Sequence, residues 1–185
     1  MKALQHKNVL LKPLLTLFAL AGFVTTAGGA EAPATPFSHD ISLSEIMESI
    51  VMPSADVVWN AVVFKVTANG EEKDVPETDE DWAKLRWSAV NLAAATNLLM
   101  IPGTPVANPQ RKAATPQGEL SPDQIAALQK DNWAAWVAHA EVLHQAALEN
   151  LRAIDARDVD AITDAGGTLD AACESCHLQF WYPEG

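Results

Sequence analysis

Two cysteines among 185 residues are too few for a disulfide framework. With no second pair, a four-cysteine zinc site is excluded as well. The 12 Lys and Arg stand against 24 Asp and Glu, a balance that excludes nucleic acid and anionic membrane as electrostatic partners. The longest apolar run, Leu14 to Val24, falls short of the roughly 20 residues that a spanning helix needs. A phosphate-binding glycine loop, a Ser-His-Asp set and an acid pair shaped around a substrate are all missing, so the chain reads as a non-enzyme. Internal repeats and low-complexity tracts are missing too.

What chemistry there is lies near one end. Both cysteines fall in Cys173-Glu174-Ser175-Cys176-His177. Cys-x-x-Cys-His is the attachment pattern of a c-type haem. Two thiols at this spacing match the separation of the two haem vinyl groups, and the adjacent imidazole can reach the iron. On a helix, Cys173 and Cys176 share a face and His177 lies one turn beyond Cys173. The expectation is one covalent haem on Cys173 and Cys176, with His177 as axial ligand. The alternatives are a redox dithiol, half of a zinc site and a plain structural disulfide. A redox dithiol expects the pair near a helix N-terminus, whereas this pair falls toward a helix C-terminus.

The leader fits that chemistry. Lys2, Lys7 and Lys12 precede the apolar run, and small residues from Thr25 to Ala30 follow it. This is the layout of a secretory signal peptide over residues 1–30, with cleavage between Ala27 and Ala30. An uncleaved anchor is the alternative. No cysteine lies at the end of the run, so a lipid anchor is not indicated. Residues 31–40, with Pro33 and Pro36, read as a flexible leader that leaves His39 exposed. Residues 41–185 read as one domain with a real core. Beyond residue 30, nine Lys and Arg face 24 Asp and Glu, a formal charge of −15. The expected location is the periplasm, free of the membrane after cleavage, and the charge suits basic partners.

Four helices are expected. Ser42 and Glu45 form a capping box that opens the first, with Leu43, Ile46, Met47 and Ile50 on one face. Pro53 predicts a break or kink at Met52, and Val57 to Val66 is expected to continue as helix. Glu71 to Glu80 reads as a loop. Thr78 caps the second helix, whose seam is Trp82, Leu85, Ala89, Leu92, Thr96 and Leu99. Residues 102–120 form a long Pro-rich crossover with Arg111 and Lys112 as a basic exception. Ser121, Pro122 and Gln124 start a third helix expected to run to Ala156. Asp158 caps the fourth, with a stripe of Val159, Ile162, Gly166, Leu169, Cys173, Cys176 and Phe180. Gly166-Gly167 either breaks this helix or lets a neighbour approach closely. The fold class is all-α, a four-helix bundle with one long crossover and the haem on its last helix.

Four helices with Cys173, Cys176 and His177 near the C-terminus resemble the class II cytochromes c, the cytochrome c′ group. Met47 to Trp59 and the tail His177 to Pro183 are similar to a periplasmic branch of that family. The resemblance implies electron transfer to redox partner proteins, and a homodimer. Its better-known members carry Arg or Lys shortly after the His, where this chain has aromatics. The second axial position separates the two functions that the family includes. A Met there gives an electron carrier, and an open position gives a gas-binding protein. The Met-ligated members take the ligand from the first helix, which implies Met47. Met52, Met100, His144 or no ligand are the alternatives, and His139 reads as exposed. Arg86, at the edge of the second helix's stripe, is the candidate partner for a haem propionate, or else a surface ion pair with Asp81 or Glu80.

Overall fold

Capping boxes set where the helices begin. In the computed structural model, Ser42, Thr78 and Ser121 each accept a bond from the backbone three residues on, and Glu45, Asp81 and Gln124 bond back. Asp158 accepts from the N–H groups of Asp160 and Ala161. The structure describes residues 37–68, 70–111 and 114–183, all within one unit, Pro36–Gly185. The expected signal peptide and residues 31–36 of the leader lie outside the described residues.

The fold is mostly helical, with one small sheet. In chain order it runs α1 (Leu43–Ile46), a π-helical turn (Met47–Val51), α2 (Met52–Trp59), β1 (Val63–Thr67), β2 (Gly70–Asp74), α3 (Asp79–Leu99), α4 (Pro122–Asp131), α5 (Trp133–Asp155) and α6 (Val159–Phe180). Helix α3 packs on α5, α5 on α6, and α2 on both α3 and α6. The expected seam of α3 is buried in full, from Trp82 to Leu99. None of the described helices is long and apolar enough to cross a membrane.

Three expectations need correction. At Met52 the helix does not break; the irregularity expected there is a π turn over Met47–Val51. Ser49 Oγ donates to Glu45 O and Pro53 has no N–H, so regular α-bonding is upset on both sides. A π turn absorbs this, with Met52 N–H bonded to Met47 O, and Pro53 falls in the first turn of α2 where no donor is needed.

The second correction is the hairpin. Val63–Thr67, expected to be helical, pairs antiparallel with Gly70–Asp74, part of the expected loop. Gly70, at φ 118°, supplies the left-handed geometry of the turn. The partner strand is Gly-Glu-Glu-Lys-Asp, with no hydrophobic alternation to announce it. Charge holds it instead. Lys65 pairs with Asp74, Lys73 lies 5.1 Å over the Phe64 ring, and Lys73 also reaches Asp160 of α6 at 2.7 Å.

The third is a break at Asn132. Its side chain donates to Leu128 O at 3.0 Å, ending α4 before α5 starts. By contrast α6 runs unbroken through Gly166-Gly167. The neighbour that approaches there is Trp59, whose Nε1 donates to Gly166 O at 3.2 Å.

Candidate functional site

The C-terminal half of α6 faces an apolar cavity of about 720 Å³. Cys173, Cys176 and His177 open onto it. Their spacing puts them on neighbouring turns of one helix, and Phe180 at its end is buried against Trp136, with ring centroids 5.1 Å apart. The cysteines are half-buried free thiols. Burial pushes each up to about 11, helped at Cys173 by Asp170 and at Cys176 by Cys173. A dithiol oxidoreductase needs the opposite shift, from a helix N-terminus or a nearby cation. A zinc cage draws on about four side-chain ligands, and no cluster of three His, Cys, Asp or Glu forms among the described residues.

An aromatic tail wraps His177. Trp181 N–H and Tyr182 N–H both donate to His177 O, at 2.8 and 3.0 Å. The Trp181 and Tyr182 rings lie edge-on to the imidazole, at 4.9 and 5.9 Å. Tyr182 OH donates to Glu174 Oε2 at 2.7 Å, which pushes its own pKa up to about 12. Burial lowers the pKa of His177, with Glu174 opposing. The neutral ring, the form that can bind a metal, is favoured.

Three other elements complete the wall. The π turn brings Met47 and Met52 to it. In a continuous α-helix these residues would diverge by about 140°, but a turn closed between them narrows that angle. Helix α5 contributes Trp136, His139, Ala140 and Leu143. The crossover is bonded to α1 and to the C-terminal tail. Pro105 O and Val106 O accept from Leu43 and Ser44 N–H at 2.8 and 2.9 Å, satisfying free donors of α1. Asn108 Nδ2 donates to Glu45 Oε1 at 2.9 Å. At its far end, Leu120 N–H donates to Trp181 O and Trp181 Nε1 to Glu119 Oε2, at 2.8 and 2.7 Å.

The fold thus brings together Cys173, Cys176, His177, Met47 and Met52. It does not bring Arg86, which is exposed and pairs with Asp155 at 2.6 Å, away from the cavity wall. Its ion-pair partner is therefore Asp155 rather than Asp81 or Glu80. Met100 packs on the core and does not line the cavity. Nor does His144, whose Nδ1 lies 2.9 Å from Thr96 Oγ1 and 3.0 Å from Ala93 O. His139 is half-buried rather than exposed, with Nε2 2.7 Å from Gln179 Oε1 and Nδ1 3.3 Å from Ser175 Oγ. Its signal was its place three residues after Trp136, beside the stripe of α5. Arg111, noted in the sequence only as a basic exception, also lines the cavity.

A porphyrin-sized group suits this site. The volume lies within the range of about 300–1,000 Å³ that houses cofactors, and the thiols and a neutral imidazole share one wall with a thioether nearby. Comparison of the chain with protein-family models, with curated proteins and with solved structures finds no match.

Proposed function

We propose that the chain is an exported, periplasmic monohaem cytochrome of the class II type, an electron carrier and not an enzyme. In this reading α1, the π turn and α2 form the first arm of a four-helix bundle. Helix α3, the α4–α5 pair and α6 form the others, joined across residues 100–121 by the long crossover. The observation that carries the reading is the shared cavity, lined by Cys173, Cys176 and His177 from α6 and by Met47 from the π turn.

Each thiol would add across one vinyl group, sulfur to one carbon and hydrogen to the other, with no redox change. His177 would give the iron a nitrogen lone pair, and Met47 a thioether sulfur as second axial ligand. Bound haem supplies a one-electron Fe(III)/Fe(II) couple. The apolar wall excludes water and lowers the local dielectric, and the acidic surface attracts basic redox partners. The basic, apolar and small-residue layout of residues 1–30 supports export, since c-type haem is attached outside the bacterial cytoplasm.

The test is the absorption and resonance Raman spectrum of the protein from a host that matures c-type haem. Met ligation predicts a low-spin spectrum with a weak long-wavelength sulfur-to-iron band, lost in M47A. Loss in M52A alone assigns the ligand to Met52. A high-spin spectrum that shifts with carbon monoxide or nitric oxide makes the protein a gas binder with an open sixth position. Purification without covalent haem overturns both.

A further inference from the structure

The cavity has an acidic rim. Glu48, Glu119, Asp170 and Glu174 all line it, and Arg111 is the single Lys or Arg among the described lining residues. A haem brings two carboxylates of its own, so this rim would repel it unless a cation intervened. Arg111 is itself exposed but sits on a hydrogen-bonded turn at the cavity edge. Asn108 Oδ1 accepts from Gln110 N–H at 2.9 Å, and Asn108 O accepts from Arg111 N–H at 3.0 Å, forming the turn that carries it. The bond from Asn108 to Glu45 pins that turn to α1. The guanidinium gives Nη1 to Glu48 at 3.2 Å, which leaves further donors of its planar fork for a second carboxylate. Arg86 spends two nitrogens on Asp155.

We propose that Arg111 binds a carboxylate of the porphyrin and that Glu48 holds the guanidinium in position, an inference that rests on the haem reading above. Arg111 takes the role that the sequence pattern assigned to Arg86. A cation held beside the haem favours the added electron, so it raises the midpoint potential.

The experiment compares midpoint potentials of the haem-loaded protein in wild type, R111Q and R86Q, and in E48Q with and without R111Q. The expected result is a lowered potential in R111Q, a wild-type value in R86Q, and a smaller effect of R111Q once E48Q has released the guanidinium. Restoration of most of the shift in R111K supports a charge contact over a structural role. An unchanged R111Q overturns the proposal, as do equal shifts in R111Q and R86Q, which any lost surface cation would give. Should R111Q fail to mature, the propionate bending band in the resonance Raman spectrum of R111K decides, and a band at its wild-type position overturns the proposal. A wild-type chain without covalent haem fails earlier, at haem staining, and takes the underlying reading with it.

Discussion

The two halves of α6 carry the same alternation of three and four residues and meet different surroundings. From Val159 to Leu169 the stripe is mostly covered by neighbouring helices, beside a smaller cavity of about 300 Å³ lined by Ile162, Gly166 and Gly167. Ile162 and Leu169 are buried, Asn150 of α5 donates to Ala165 O at 2.9 Å, and Trp59 of α2 donates to Gly166 O. From Ala172 to Phe180 the stripe continues through Cys173 and Cys176, but these line a cavity. In the first half another helix accepts the apolar face. In the second the face is shared among a π turn, a crossover and an aromatic tail, with space left between them. An amphipathic stripe records that a face is to be buried, and says nothing of whether a helix or a bound group buries it.

The comparison breaks most readily at the cysteines. If the proposed haem reading holds, replacing Cys173 and Cys176 with Ala removes covalent haem completely. Hydrogen exchange should then speed up in Ala172–Phe180 and stay slow in Val159–Leu169. Equal loosening of both halves would mean that the covered half also depends on the occupant.

Next in size is Leu169, fully buried in the covered half. L169A should cost about 2–5 kcal/mol by denaturant unfolding while covalent haem is retained. A cost under about 1 kcal/mol would show that the first half is not packed as its burial indicates.

Acid should act on the cavity side. Bonds from the Asn108 amide, then from Ser42 backbone and hydroxyl, hold the Glu45 carboxyl at about 2, against an ordinary 4.5. Because its folded pKa is depressed, the tie contributes its full stability above pH 4.5 and loses it as pH falls toward 2. NMR of the Asn108 side-chain amide should report release of the crossover from α1 across that window. E45Q should flatten this titration, and a wild-type profile in E45Q would assign the release to another group.

The smallest effect sharpens the picture of the covered half. A Cβ on Gly167 meets nothing within 4 Å, and one on Gly166 meets only Trp59 Cδ1 at 3.8 Å. Either Gly→Ala change should therefore stabilise α6 by about 0.5–1 kcal/mol, read from the melting curve. A loss at Gly166 would mean that Trp59 is held more tightly than ordinary contact requires.

Local signals were legible in the sequence. Ser42, Thr78, Ser121 and Asp158 each begin a helix at the expected place, because a cap needs only a partner two or three residues away. The seam of α3 was legible for the same reason, since helical periodicity is a property of one segment. The β2 strand was not, because cross-strand charges and the tie to Asp160 stand in for hydrophobic alternation. The partner of Arg86 was not legible because Asp155 lies 69 residues away. His139 and Arg111 reach the cavity only once α5 and the crossover are in place.

By itself the sequence determined a mostly helical chain, four of its helix starts, and a Cys-Cys-His set on one helix face, since each follows from spacing within a few residues. Tertiary structure decided what those residues look out upon. The π turn around Ser49 and Pro53 turned Met52 toward the same wall as Met47, and the bonds from Asn108 and Trp181 drew the crossover over the cavity. The physical reason is that a cavity belongs to no single segment. It is the space left where several elements, each satisfying its own backbone bonds, fail to meet.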